Sequence, residues 1–345
     1  MGNSLYIWPL KNGISLFPLK AQGGNHKITV AQQHHTSIYQ IFMASIKHWV
    51  MAFRLRTLPL ALASIGMGGF LAAYLGAFRW EVFALSALTT IFLQILSNLA
   101  NDYGDSQHGA DSAEREGPAR AVQAGLIARQ AMKKAIVVFA FLSFLCGLTL
   151  LYVALGHERL IDWGIFLGMG ILAIVAAITY TAGYKPYGYA GLGDLSVMIF
   201  FGWVGVLGSC YLYTPQLSLS FLLPATSCGF FATAVLNVNN IRDIKSDQQA
   251  GKRSVPVRIG RQNARIYHAF LLIGGVVCAL GFVALHFQSA YQLIFLVMLP
   301  AFWKNGQAVF TLEQPAALDP FLKQMALSAF FFTITFGLGL LIAIR

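Results

Sequence analysis

Charge is scarce in this sequence, and acidic charge is scarcest. Of 345 residues 11% are charged and 13 are Asp or Glu, against 57% hydrophobic. A soluble domain carries about a quarter charged residues, so a water-soluble globule is excluded. Cysteine is equally thin: Cys146, Cys210, Cys228 and Cys278 sit in apolar runs and make no C-x-x-C pair. Neither a disulfide framework nor a zinc site is implied, and the four read as small packing residues. A nucleic-acid binder is not indicated either. The net charge is +11, but the basic residues lie between apolar runs instead of forming one patch, which is the pattern of membrane topology.

What the chain has is apolar length. Crossing about 30 Å of hydrocarbon takes roughly 20 helical residues, and nine runs reach it: 58–78, 82–100, 135–155, 163–182, 192–213, 219–238, 268–287, 290–309 and 321–344. The eighth is the weakest, interrupted by Pro300 and carrying Lys304 and Asn305 near its end. Backbone groups in lipid must be satisfied within their own helix, so the expected fold is all-α, a polytopic membrane bundle of about nine transmembrane helices. Of the 24 lysines and arginines only Arg79, Arg159 and Arg345 fall on one side of such a bundle. The positive-inside rule then places the N-terminus in the cytoplasm. Residues 1–42 differ in composition, contain no run of spanning length and match a signal peptide poorly. They are expected to be a disordered extension or to follow from a start assigned too early, with the functional domain at 43–345. His34 and His35 read as solvated.

Five of the 13 acids fall in one stretch, Asn98 to Glu116, at the end of the second run. A second polar stretch, Asn237 to Asp247, ends the sixth run. Even-numbered runs end on the same face, so both lie on the cytoplasmic side. Asn101 and Asp105 are four apart, as are Asn239, Asp243 and Asp247, and at helical pitch such residues share a face. Each stretch therefore presents a column of oxygen ligands where its helix leaves the membrane. Carboxylates crowded near lipid are costly to ionise, and a divalent cation relieves that cost. Mg²⁺ typically takes one or two carboxylates plus phosphate oxygens, so a phosphorylated ligand is expected with it. Arg115, Arg242, Lys252 and Arg253 are candidates for the remaining phosphate oxygens. Glu114 and Glu116 read as solvated.

The stretches N101-D-Y-G-D105 and N239-N-I-R-D243-I-K-S-D247 resemble the two aspartate-rich motifs of the intramembrane aromatic prenyltransferases, the UbiA superfamily. L58-P-L-A, Y187-G-Y-A-G-L-G-D-L-S196 and F200-F-G-W add to the resemblance, which runs from about Met43 to the C-terminus and is strongest to the branch that prenylates 1,4-dihydroxy-2-naphthoate. It implies that Asn101, Asp102, Asp105, Asp111, Asn239, Asp243 and Asp247 hold Mg²⁺ and diphosphate, with Asp105 and Asp243 central to catalysis. Lys185, in the T181-A-G-Y-K-P connector, is a candidate diphosphate contact or a topogenic lysine. Tyr180, Tyr184 and Asp194 are candidates for the aromatic acceptor's pocket, although interfacial tyrosines and a capping Asp serve packing equally well. Two departures stand out. The family's usual last aspartate of the first motif would fall at Gly109, whereas the next acid here is Asp111. The family's Arg-Pro near the first span is replaced by Arg54-Leu55-Arg56-Thr57, which leaves the role of Arg54 open.

The activity implied is transfer of a long polyprenyl group, octaprenyl by the resemblance, from its diphosphate to 1,4-dihydroxy-2-naphthoate with loss of CO₂, in the cell's inner membrane. Two other readings stand beside it: a prenyltransferase for another aromatic acceptor such as 4-hydroxybenzoate, and a secondary transporter. Transporters place ionisable residues near the bilayer midplane, whereas the span interiors here are almost free of charge. His268 and His286, at span ends, read as interface residues.

Overall fold

The computed structural model describes residues 46–108 and 120–344, and every regular element among them is helical. Among the described residues nine helices are long and apolar enough to cross a membrane: α1 Ile46–Tyr74, α2 Trp80–Gln107, α3 Arg129–Leu155, α4 Leu160–Thr179, α5 Gly193–Tyr213, α6 Leu219–Arg242, α7 Val255–Leu285, α8 Ala290–Thr311 and α9 Pro315–Ala343. All nine expected runs are present, and the main differences are at their ends. Helix α2 continues past residue 100 to Gln107, so Asn101 and Asp105 are helical as their spacing requires. Helix α7 starts at Val255, far earlier than its apolar run, and Gly260 breaks it with φ 78°. The extension 1–42, Asp111 and Arg115 lie outside the described residues.

Helix α1 is broken near its start. Arg54 has φ 49° and ψ 56°, the only positive φ at a non-glycine among the described residues. That left-handed conformation is costly for a side chain with a β-carbon, and a broken helix near lipid needs its freed carbonyls satisfied. Here Asn98 Nδ2 donates to Phe53 O at 2.9 Å and Thr57 Oγ1 donates to Arg54 O at 2.9 Å. Asn98 Nδ2 also donates to Thr57 Oγ1 at 3.0 Å, knitting the break to α2.

Helix α6 runs through the middle of the packing, and most of its residues are buried. On one side Phe231 stacks on Phe302 of α8, ring centres 4.3 Å apart, and meets Phe332 of α9 edge-on at 4.8 Å. On the other side α6 meets α5 at two glycines. A β-carbon built on Gly202 would stand 3.0 Å from the Gly229 Cα, so neither position has room for a side chain and the backbones touch, as small residues permit in lipid. A second core joins α2 and α3 through Leu96, Leu99, Met132 and Ile136. Helix α4 packs against α2 and α3 and buries no residue. Beside it α5 widens into π-helical geometry over Met198–Gly208, a form that concentrates at functional sites.

His268 differs from expectation, whereas His286 does stand at the end of α7. His268 is fully buried, its Nε2 2.9 Å from Asn305 Oδ1 on α8. Asn305 in turn donates to Phe321 O at 2.9 Å. Asn305 of the eighth run is thus one half of a buried interhelical pair, and Pro300 sits in the first turn of an α-helical segment, where its missing N–H costs nothing. All four cysteines are unpaired thiols, three buried and Cys278 half-buried.

Candidate active site

The end of α2 sends its polar side chains in two directions. Asn101 and Asp105 line a cavity inside the bundle. Asp102 lies about 100° round the helix from Asn101. Its two oxygens accept from the backbone N–H groups of Ala121 and Val122, at 3.0 and 3.2 Å. Asp102 is thus committed to the segment that follows the described end of α2, and the structure does not bring it to the Asn101–Asp105 face. Asp105 accepts from Arg120 Nη2 at 2.8 Å and from the Tyr189 hydroxyl at 3.1 Å. Thr181 Oγ1 donates to Ala100 O and Asn101 Oδ1 at 3.1 and 3.0 Å, fastening the connector after α4 against α2. Gly104 makes this approach possible, since a β-carbon there would collide with the Thr181 backbone.

The second column crosses a helix joint. Helix α6 ends at Arg242, Asp243 takes φ −96° and ψ 12°, and a short helix Ile244–Gln249 follows. Hydrogen bonds from Asp243 N to Asn239 O (3.0 Å) and from Asp247 N to Asp243 O (2.8 Å) carry the four-residue repeat across that joint. Arg242 forks onto both oxygens of Asp243, each at 2.8 Å, and its Nη2 also reaches Asn239 Oδ1 at 2.8 Å. Its Nη1 donates to Asp319 Oδ1, on α9, at 2.6 Å. The side chain expected to contact diphosphate is therefore buried and organises the second motif instead. Lys252 Nζ reaches Asp247 Oδ1 at 3.1 Å and lines the same cavity as Asn101, Asp105 and Asn239.

The two stretches meet electrostatically at Lys252. Burial opposes its charge, but the carboxylates of Asp247, Asp105 and Asp243, with Tyr180, outweigh it and raise its pKa above the ordinary lysine range. Burial likewise pushes the Asp247 carboxyl up, which Lys252 offsets in part. Among the described residues no three His, Cys, Asp or Glu side chains form a cage that could hold a metal by themselves. The donor set still fits Mg²⁺, because that ion binds through one or two carboxylates together with phosphate oxygens and water, and seldom in all-protein cages. Asp247 supplies the local sign of fit: its Oδ2 is buried with no hydrogen-bond partner among the described residues, an arrangement that favours a cation.

Other expected residues fall elsewhere. Tyr180 lines the cavity. Tyr184 is 92% exposed, and Lys185 Nζ lies 5.6 Å from the centre of its ring, away from the cavity lining. Arg253 is exposed, and its backbone N–H donates to Tyr189 O at 2.9 Å. Asp194 is buried in the first turn of α5, paired with Tyr267 of α7, and is not among the residues lining the cavity. Four residues that sequence reasoning had not singled out hold the site together: Arg120, Thr181, Tyr189 and Asp319. The sequence offered a signal for two of them, since Thr181 and Tyr189 stand inside the connector motifs.

Behind this mouth the cavity, about 440 Å³, runs between the helices. Its outer part carries Asn98, Asn101, Asp105, Tyr180 and Lys252, and its inner part Leu93, Leu148, Phe166, Ile174, Phe200 and Phe201. Fold and site together define a multi-pass membrane protein that can hold a charged head at one face and an apolar chain between its helices. The chain belongs to the UbiA prenyltransferase family, which matches residues 61–343. It is 46% identical over 299 residues to 1,4-dihydroxy-2-naphthoate octaprenyltransferase of Haemophilus influenzae, covering 86% of this chain and 96% of that one. The protein of that name from Escherichia coli is 45% identical, with 86% and 95% covered. Among solved structures, the apo UbiA homolog from Aeropyrum pernix superposes with TM-score 0.61 at 15% identity, over 85% of this chain and 99% of that one. A UbiA homolog from Archaeoglobus fulgidus bound to GPP and Mg²⁺ gives 0.56 at 14%, over 84% and 99%. At such identities the superpositions establish the fold.

Proposed function

We propose that this protein transfers an all-trans polyprenyl group, octaprenyl as in the names of its relatives, from its diphosphate to 1,4-dihydroxy-2-naphthoate. The C–O bond of the allylic diphosphate breaks, with its electron pair leaving on the diphosphate. An electron-rich ring carbon forms the new C–C bond, and the carboxylate leaves as CO₂ to give a demethylmenaquinol. One observation carries this reading: Asn101, Asp105, Asn239 and Lys252 converge at the mouth of a single cavity whose depth is apolar.

Bound Mg²⁺, held by Asp105, Asp243 and Asp247 with Asn101 and Asn239 beside them, would neutralise charge developing on the leaving diphosphate. The chain's own part is positioning. Lys252 adds a fixed cation at the mouth, where a preorganised charge acts on the leaving group without reorganising. Arg120 and Arg242 hold the carboxylates of Asp105 and Asp243 in place. The apolar walls exclude water from the allylic carbon, which favours capture by the ring over hydrolysis. We further infer that the mouth faces the cytoplasm, that the membrane is the inner one, and that the catalytic domain is 43–345, its activity independent of residues 1–42.

The test is an assay in membranes containing the protein, with labelled octaprenyl diphosphate and either aromatic acid. Prenylated naphthoate is expected, with activity lost on chelation and restored by Mg²⁺. The Asp105→Ala change is expected to cost roughly 10²-fold or more in rate, the scale of losing one preorganised electrostatic contact. A chain lacking residues 2–42 is expected to keep its activity. Transfer to 4-hydroxybenzoate in preference to the naphthoate would overturn the acceptor assignment.

A further inference from the structure

Asp319 stands 77 residues after Arg242 in the chain, yet its carboxylate bridges two arginines. Its Oδ1 accepts from Arg242 Nη1 at 2.6 Å and its Oδ2 from Arg56 Nη1 at 3.0 Å. It stands in the first turn of the α-helical part of α9, where a helix N-terminus favours an acid. We propose that Asp319 is a positioning residue for the metal site, the counter-ion that lets Arg242 yield Asn239 and Asp243 to Mg²⁺. This rests on the reading of the chain as a Mg²⁺-dependent prenyltransferase.

The donors of Arg242, a side chain only 1% exposed, are shared among three residues. Nε and Nη2 fork onto the two oxygens of Asp243, and Nη2 also reaches Asn239 Oδ1, each at 2.8 Å. Nη1 goes to Asp319. Asn239 and Asp243 are themselves candidate metal ligands. Among the described residues Asp319 is therefore the one acceptor on Arg242 that the metal does not need. When Asn239 and Asp243 give their oxygens to a divalent cation, Arg242 loses charge from those same atoms and acquires a positive neighbour. Sharing them is feasible only if Arg242 keeps an anion elsewhere, because a buried guanidinium stripped of its carboxylate is strongly unfavourable. Asp319 meets that need from outside the cavity lining. Arg56 works against it: this partly exposed side chain draws on the same carboxylate and weakens what Asp319 supplies to Arg242.

A merely structural clasp between α1, α6 and α9 would use the same two bonds, and loss of either partner would then act in one direction. A counter-ion and its competitor act in opposite directions on metal binding. Mn²⁺ stands in for Mg²⁺, and its binding is followed by electron paramagnetic resonance with the full-length protein in phosphatidylcholine nanodiscs, without prenyl donor or aromatic acceptor. This readout is binding of the metal alone, so its failure and a failure to prenylate the naphthoate can be told apart. Asp319→Asn is expected to raise the Mn²⁺ dissociation constant on the order of tenfold, within the span of couplings in one salt-bridge network. Asp319→Glu should recover part of the loss. Arg56→Gln should tighten binding, because Asp319 then serves Arg242 alone. In transfer assays Asp319→Asn should need more Mg²⁺ for half-maximal rate and approach the parent's kcat when Mg²⁺ is raised. Glu313→Gln removes the same charge from an exposed acid between α8 and α9 and should leave the Mn²⁺ constant unchanged. Should Asp319→Asn fail to fold, Arg56→Gln decides by itself, since only removal of a competitor tightens binding. Unchanged Mn²⁺ affinity in Asp319→Asn, equal weakening in Glu313→Gln, or weakening in Arg56→Gln with the fold intact by thermal melting would each overturn the proposal. Absence of Mn²⁺ binding by the parent would overturn it as well.

Discussion

Asp102 and Asp105 stand three positions apart on α2, yet one holds backbone N–H groups while the other faces a cavity with an arginine and a tyrosine on it. The difference predicts different mutational behaviour. Asp102→Ala leaves two buried N–H donors without an acceptor, at about 1–3 kcal/mol each. Asp102→Asn keeps one acceptor oxygen and is milder. Thermal melting in detergent should rank the two in that order, and Asp102→Asn assayed below its melting temperature should retain most of its transfer activity. Asp105→Asn, nearly the same shape, removes the charge paired with buried Arg120, so it should lower melting and lose turnover even when assayed below its melting temperature. Loss of turnover in Asp102→Asn without a change in melting would return Asp102 to the ligand set. Adjacent identity in a motif could not separate these two residues. Only the position of Ala121 and Val122, brought back from a later part of the chain, does so.

At the scale of elements, the long apolar runs were readable because lipid forces each span to satisfy its own backbone. The breaks were not. Arg54 adopts a left-handed conformation because Asn98 and Thr57, one of them on another helix, take up the carbonyls it frees. The joint at Asp243 likewise depends on Arg242, which is held by Asp319 from the far end of the chain. Both are long-range outcomes, invisible to periodicity. The contact between α2 and the connector after α4 is of the same kind, and Gly104 controls it. Gly104→Ala would press a β-carbon against the Thr181 backbone, and because the obstacle is main chain, the helix and connector must separate. Overpacking of this sort costs typically 1–3 kcal/mol. The Thr181–Asn101 and Tyr189–Asp105 hydrogen bonds are expected to suffer with it. Gly104→Ala should therefore lower both melting temperature and turnover, whereas Gly164→Ala on α4, where an added β-carbon meets nothing within 4 Å, should change neither.

For the whole molecule, charge and fold make a joint statement about sidedness. The ends of α2, α4 and α6 share one face, where the two acidic columns and most of the lysines and arginines gather, while Arg79 and Arg159 stand at the other. On that other face Arg79 donates to the carbonyls of Val153 and Ala154 at the end of α3, so its placement has a structural use as well as a topogenic one. By the positive-inside rule the mouth is expected in the cytoplasm, where a water-soluble aromatic acid would meet the lipid donor. Single cysteines can test this, because the native thiols are buried or half-buried within the spans and compete poorly for a polar reagent. Tyr184→Cys lies in the connector at the mouth face and Gln216→Cys in the exposed turn before α6, at the opposite face. A membrane-impermeant maleimide added to intact cells stripped of their outer barrier should label Gln216→Cys and spare Tyr184→Cys. In inverted vesicles the pattern should reverse. Labelling of Tyr184→Cys from outside would turn the bundle over, moving the metal site to the far side of the membrane and removing the cytoplasmic route for the acid acceptor.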